Sequence, residues 1–309
     1  MTLRRKALLA VAALAVTGVA LAGCSSGNPF DEPSQEAGGS ASIVVGSAAF
    51  PESEIIMQIY AQALEAEGVK VQTKPNIGQR DVYLAALKDG SIDLIPEYSG
   101  NLLQFFDKKA TESSSEDVYA ALQKAAKLHG YEVLDQAKAQ DKDSYNVTKK
   151  FSQEHGVKSL ADLAALGIPL KVGANPEFAE RPYGIPGLKD VYGIDATLVP
   201  ISDSSGPLTV KALAEGTVDL ADIYTTTPAI KENDFVTLED PKNLIIAQNV
   251  VPLITKSKVT DTVKRVLNKV SSLLTTEDLI DMNAKSSGAQ KLSASAIAKD
   301  WLKSHELLK

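Results

Sequence analysis

Cysteine is almost absent: Cys24 is the only one in 309 residues. No intramolecular disulfide can staple the fold, even in an oxidising compartment, so stability must come from a packed core. Histidine is nearly as scarce. His129, His155 and His305 stand alone, so there is no Cys/His set at metal-ligand spacing, and each reads as a solvent-facing or capping side chain. Basic surplus is missing too. The net charge is −7, and no Lys/Arg stripe interleaved with aromatics runs along the chain, which argues against nucleic acid and other polyanions as partners. There is no P-loop, no G-x-S-x-G and no Rossmann glycine fingerprint. The paired acids Glu52 with Glu54 and Asp219 with Asp222 read as helix-start and strand-end charges, not as a glycosidase pair. No catalytic residue, metal site or cofactor is assigned, and the chain is not expected to be an enzyme.

What the chain does carry begins at its N-terminus. Arg4, Arg5 and Lys6 precede an uncharged run from Ala7 to Ala20, the layout of a secretory signal. That run is shorter than the ~20 residues a spanning helix needs. Leu21-Ala22-Gly23-Cys24 follows as a lipobox, in which the cysteine is diacylated and becomes the mature N-terminus. Residues 1–23 are therefore expected to be a lipoprotein signal peptide and Cys24 the lipidation site, holding the protein on the extracytoplasmic face of the cell membrane. Residues 24–41, rich in Ser, Gly, Pro, Asn and acids, read as a flexible tether.

From Ser42 onward the chain is long enough for two lobes and 44% hydrophobic, a globular composition. Periodicity predicts strand at Ile43 to Gly46, helix over Glu52 to Glu67, strand at Val69 to Thr73, helix over Val82 to Leu87 and a buried strand at Ile92 to Ile95. The alternation resumes with a short helix at Ser159 to Leu163, strand at Leu170 to Gly173, helix over Leu208 to Ala214 and strand at Val218 to Ile223. Beyond Val259 it is purely helical, with Val263, Val266, Leu267, Val270 and Leu274 on one face. The chain also echoes itself. Ala86-Leu87-Lys88-Asp89-Gly90-Ser91-Ile92-Asp93 through Tyr98-Ser99 matches Ala212-Leu213-Ala214-Glu215-Gly216-Thr217-Val218-Asp219 through Tyr224-Thr225 at one offset, 126 residues. Such a unit is also a good αβ junction in any α/β protein. If each copy belongs to its own lobe, Tyr98 and Tyr224 lie beyond the carboxyl ends of parallel strands, where open sheets bind ligands, and face one another across a cleft.

Further segments carry a family likeness. Pro96-Glu97-Tyr98-Ser99-Gly100, Asp143-Ser144-Tyr145, Glu177-Phe178-Ala179-Glu180-Arg181 with Gly187-Leu188 and Tyr192-Gly193, and Tyr224-Thr225-Thr226 occur in order. Together they resemble the substrate-binding proteins of glycine betaine/carnitine/choline-type osmoprotectant ABC importers. The resemblance implies an α/β, type II-like two-lobed periplasmic binding protein fold with an interlobe cleft and two hinge crossovers. Residues 42–146 and 244–309 would form lobe 1 and residues 147–243 lobe 2. It implies a small quaternary-ammonium or zwitterionic solute, an ABC permease as partner, and a monomer.

A quaternary ammonium has no hydrogen to donate, so aromatic faces must hold it; Tyr98, Tyr145 and Tyr224 match the family's cage positions. Arg181 is the candidate carboxylate clamp, because a guanidinium fork pairs both carboxylate oxygens; the alternative is a salt bridge. Asp143 either complements a cationic head or caps a turn. The chain departs from the family at Ala48, where lysine is frequent, at Thr227 and Tyr183, where aspartate is common, and at Val210, where tyrosine is. Arg80 and Asn101 stand where threonines are common. Arg80 either restores the missing positive charge or, as a helix-start residue, pairs with Asp81 or solvent. A surface lipoprotein of the same fold, acting as a sensor or adhesion module or binding an unrelated solute, is the alternative function.

Overall fold

The computed structural model describes residues 42–288 and 291–308; the signal segment, Cys24 and the tether lie outside them. Strands β1 (Ile43–Gly46), β2 (Val71–Lys74), β3 (Leu94–Tyr98) and β4 (Tyr131–Val133) start a first five-stranded sheet. β5 (Tyr145–Val147), β6 (Leu170–Ala174), β7 (Ala196–Pro200), β8 (Leu220–Asp222) and β9 (Val236–Thr237) make a second. β10 (Val250–Thr255) then returns to the first.

The two sheets share one plan. Orders β2-β1-β3-β10-β4 and β7-β6-β8-β5-β9 each place three parallel strands beside an antiparallel fourth. That fourth strand, β10 or β5, follows a crossing from the other lobe, so each crossing ends in a paired strand and not in a free linker.

The 126-residue echo acquires a physical reading from this plan. Helices Arg80–Lys88 and Pro207–Ala214 both end in a turn through a glycine of positive φ, 78° at Gly90 and 72° at Gly216, a conformation that disfavours any residue with a Cβ. Asp93 and Asp219 each then accept a backbone N–H from the adjacent parallel strand, Val44 at 2.9 Å and Lys171 at 2.7 Å. The glycine ends the helix and the aspartate fixes the strand beside its neighbour. Tyr98 and Tyr224 follow where β3 and β8 finish.

Helix Pro51–Ala66 starts with proline in its first turn and covers one face of the first sheet. Its buried Ile55, Ile56, Ile59 and Leu64 meet the expected stripe Val263, Val266, Leu267 and Val270 of helix Asp261–Leu273. Thr260 caps that helix through Val263 N at 3.3 Å, and helix Ala294–Ser304 adds Trp301 and Leu302 to the same core. The chain's last helices thus belong to the first lobe.

The lobe boundary drawn after residue 146 cuts β5. Tyr145 pairs with Asp222 and Asn146 with Thr237 in the second sheet, so the first crossing is complete before Tyr145. On the return, Leu244 and Ile245 pack in the second lobe's core while Ile246 and Ala247 pack in the first's.

Candidate functional site

The carboxyl ends of β3 and β8 face a common cleft. Tyr98, the last residue of β3, and Tyr224, two residues beyond β8, both line it. Phe50, which precedes helix Pro51–Ala66, stands between them, its ring 6.0 Å from Tyr98 and 5.7 Å from Tyr224 between centroids. Three aromatic rings from both lobes therefore meet at one spot, Phe50 tilted against Tyr98 and edge-on to Tyr224. Tyr83, Phe178 and Tyr183 extend the aromatic wall. The closed cavity is about 70 Å³, room for about two waters at ~30 Å³ each, so a solute enters only with the lobes apart.

Polar bonds close the lobes over it. Gln79 Nε2 donates to Ser204 Oγ at 2.9 Å, Asn101 Nδ2 to Asp143 Oδ2 at 2.6 Å, and Thr226 Oγ1 to Glu52 Oε2 at 2.6 Å. Arg181 Nη2 lies 3.5 Å from Asp81 Oδ2. Local turns fix the second-lobe wall: a Cβ on Gly184 would fall on the Phe178 carbonyl and one on Gly187 on that of Pro182, so the segment bearing Arg181 and Tyr183 folds as tightly as it does only with glycine at both positions.

The expected site residues fare unequally. Tyr98, Tyr224, Arg181, Asp143, Asn101 and Arg80 all line the cleft. Tyr145 does not; it is buried in β5 with its hydroxyl donating to the Tyr183 carbonyl at 2.5 Å, so it supports the wall from behind. Asp143 caps no turn, since its carboxylate is buried and takes the Asn101 bond across the cleft. Arg80 pairs neither with Asp81 nor with solvent. Its Nε and Nη2 grip Glu97 at 2.9 and 3.0 Å, with Tyr83 Oη donating to the same carboxylate at 2.7 Å; Asp81 is the partner of Arg181 instead.

Reading the sequence did not single out Phe50, Asp141, Asp222 or Glu177 for the cleft. Phe50 has no counterpart in the echo, where Pro176 takes its place. Asp222 was one of a strand-end pair; only Asp219 keeps that role, by holding Lys171 N, whereas Asp222 faces the cleft. Glu177 lines the cleft with Oε2 buried and without a hydrogen-bond partner among the described residues. The wall then carries four carboxyls, Asp141, Asp143, Glu177 and Asp222, against two guanidiniums, and Arg80 is already neutralised by Glu97. This is an electrostatic bias toward a cation.

Glu52 is no solvated helix-start charge. It is buried at the hinge and accepts from Tyr98 Oη at 2.6 Å, Thr226 Oγ1 at 2.6 Å and Asn283 Nδ2 at 2.6 Å. Burial pushes its carboxyl above the ordinary value despite these donors, and Asp141 alongside is raised by burial and by the Glu52 charge. A carboxyl that holds its proton more tightly folded than unfolded contributes least to stability where the unfolded chain is ionised. Stability should therefore fall as pH rises from the unfolded-state value of about 4.3 through the raised folded one. Glu52→Gln, which cannot ionise, is expected to give a shallower decline of Tm with pH than wild type. Thermal unfolding across a pH series measures this, and identical slopes would contradict the assignment.

A two-lobed solute-binding protein, with a cleft closed by both lobes, is the class this arrangement defines. Residues 41–304 match the family described as the substrate binding domain of ABC-type glycine betaine transport system, and the chain belongs to that family. It is 27% identical over 274 residues to the glycine betaine-binding protein YehZ of Escherichia coli, covering 84% of this chain and 90% of that one. It is 23% identical over 282 residues to a glycine-betaine-binding protein of Pseudomonas aeruginosa, covering 85% and 88%. Its fold resembles the crystal structure of a glycine betaine/carnitine/choline ABC transporter protein, with a TM-score of 0.69 at 22% identity over 86% of this chain and 100% of that one. The family binds a small solute outside the cytoplasm and serves an ABC importer's permease.

Proposed function

We propose that this protein is a lipid-anchored, monomeric receptor that captures a small quaternary-ammonium or zwitterionic osmoprotectant, of the glycine betaine, carnitine or choline kind, and passes it to its permease. The meeting of Phe50, Tyr98 and Tyr224 beside an excess of carboxyls carries the reading. Ring faces and buried acids together suit a cation that cannot donate hydrogen bonds, each ring contact contributing ~0.5–2 kcal/mol. The names borne by the relatives, glycine betaine-binding in both cases, support the solute class.

Arg181 is the group assigned to the carboxylate of a zwitterion. Among the described residues its ion-pair partner is the exposed rim acid Asp81, at a long 3.5 Å, which leaves the fork available. Glycine betaine is expected to bind about tenfold more tightly than choline, or ~1.4 kcal/mol. Arg181→Lys should abolish that margin, because lysine keeps the charge without the planar two-point geometry. Calorimetric titration of both solutes into both proteins tests this; an equal loss for the two solutes would make Arg181 a lobe-closing residue only. The lipid anchor has its own test. Cys24→Ser should release the processed protein from the membrane fraction, and retention there would refute anchoring through Cys24.

A further inference from the structure

The antiparallel register of β5 and β8 sets Tyr145 opposite Asp222, and Ser144 N donates to Asp222 Oδ1, so the Asp222 carboxyl sits beside the residue that follows Asp143. Both acids are buried, at 7% and 3% exposure, and both line the cleft. Donors hold one oxygen of each: Asn101 Nδ2 reaches Asp143 Oδ2 at 2.6 Å and Ser144 N reaches Asp222 Oδ1 at 3.2 Å. The backbone N–H of Asp143 also reaches its own carboxyl, and the carboxyls of Asp143 and Asp222 lie within hydrogen-bonding reach of each other. An acid–acid hydrogen bond requires a proton. Because both residues belong to the second lobe, the contact does not depend on closure.

We infer that Asp143 and Asp222 share one proton in the solute-free cleft and that a cationic head displaces it, so that capture of the cation releases a proton to solvent. The inference rests on the cation-binding reading above. Charge balances: one proton leaves as one fixed positive charge enters, and the cleft avoids two unpaired carboxylates in either state. Burial raises both acids; the Asp143 charge raises Asp222 further, whereas the contact with Asp222 lowers Asp143, so the two are pushed apart as a coupled pair is.

The groups facing the pair are Arg80 and Tyr83 from helix Arg80–Lys88, Asp141 from the crossing, Arg181 and Tyr183 from the second-lobe wall, and Tyr145 and Tyr224 from the ends of β5 and β8. Glu177 shares the cleft. Burial raises the tyrosines further from neutrality, so they stay uncharged. Asp141 is tied to Glu52 in a second buried acid contact, and the test must separate the two.

Choline is the probe, because its ammonium has no proton and any proton released comes from the protein. Titrated into wild type in buffers of different ionisation enthalpy, it is expected to release up to about one proton per site. Its affinity should rise by up to about tenfold per pH unit as pH climbs from the ordinary carboxylate range through the raised range of the pair, and level off once the pair is ionised. Asp222→Asn should remove the proton release and flatten that rise, which a merely structural defect would not do. Asp143→Asn serves if the first variant fails to fold. Choline binding without proton release, or release that persists in both variants, would overturn the inference. Infrared difference spectra decide the shared proton without any solute. The solute-free wild type should show the carbonyl stretch of a protonated carboxyl that Asp222→Asn lacks, and its absence from wild type overturns the inference. If neither choline nor glycine betaine binds, the solute reading fails and the infrared result decides the pair alone.

Discussion

Replacing Arg80 with alanine is expected to cost about 3–5 kcal/mol of folding stability, the scale for breaking one side of a buried ion pair. The Glu97 side chain is fully buried and that of Arg80 only 10% exposed. Its carboxylate collects both guanidinium bonds, the Tyr83 hydroxyl and the Tyr98 backbone N–H at 2.9 Å. Without the guanidinium a carboxylate remains inside the first lobe with neutral donors only. Against a total stability of order 5–15 kcal/mol, that loss is large. Denaturant unfolding of Arg80→Ala and Glu97→Gln measures it. A change under about 1 kcal/mol in both would mean that the pair is solvated in solution, as surface pairs are. Solute affinity should fall too, because Tyr98 is anchored through the same carboxylate.

Phe50→Leu should weaken choline binding by about ten- to a hundredfold, or ~1.4–2.8 kcal/mol, while leaving the fold in place. Leucine keeps apolar volume beneath the solute and loses the negative ring face. Tyr224→Leu is the partner experiment from the opposite lobe, since among the described residues the only side-chain bond to its hydroxyl is a long one from Asn175 at 3.5 Å. Tyr98 is a poorer probe because its hydroxyl donates to buried Glu52, and truncating it would mix lost contact with an unsatisfied carboxylate. Titration calorimetry alongside circular dichroism separates the effects. Unchanged affinity in both leucine variants would show that apolar bulk, and not the ring face, is what the solute meets.

Phe50 also marks a limit of sequence reading. Tyr98 and Tyr224 could be found because each ends an αβ unit whose turn glycine and strand-fixing aspartate recur 126 residues apart. Phe50 belongs to the loop after β1, which has no repeat signal. Strand β10 escaped for a different reason. Its run Val-Val-Pro-Leu-Ile-Thr is buried along nearly its whole length, but an internal proline ordinarily demotes a run to an edge strand. In the fold Pro252 lies opposite Pro96 in the middle of the first sheet, so two residues lacking an N–H are paired with each other.

By itself the sequence determined the local units and the family: alternating strands and helices, the glycine turns, the capped amphipathic helix Asp261–Leu273, and the ordered Tyr and Arg motifs. All of these depend on neighbours a few residues apart, or on a likeness carried by short segments. Only the tertiary structure decided which charges face the cleft. Arg80 could meet Glu97, and Asp143 could meet Asp222, only once each sheet was assembled, and Arg181 could meet Asp81 only once the lobes closed. Separations of 17, 100 and 79 residues (97 − 80, 181 − 81, 222 − 143) leave no periodic trace. A side chain's charge partner is set by burial and by position in three dimensions, and no local pattern encodes it.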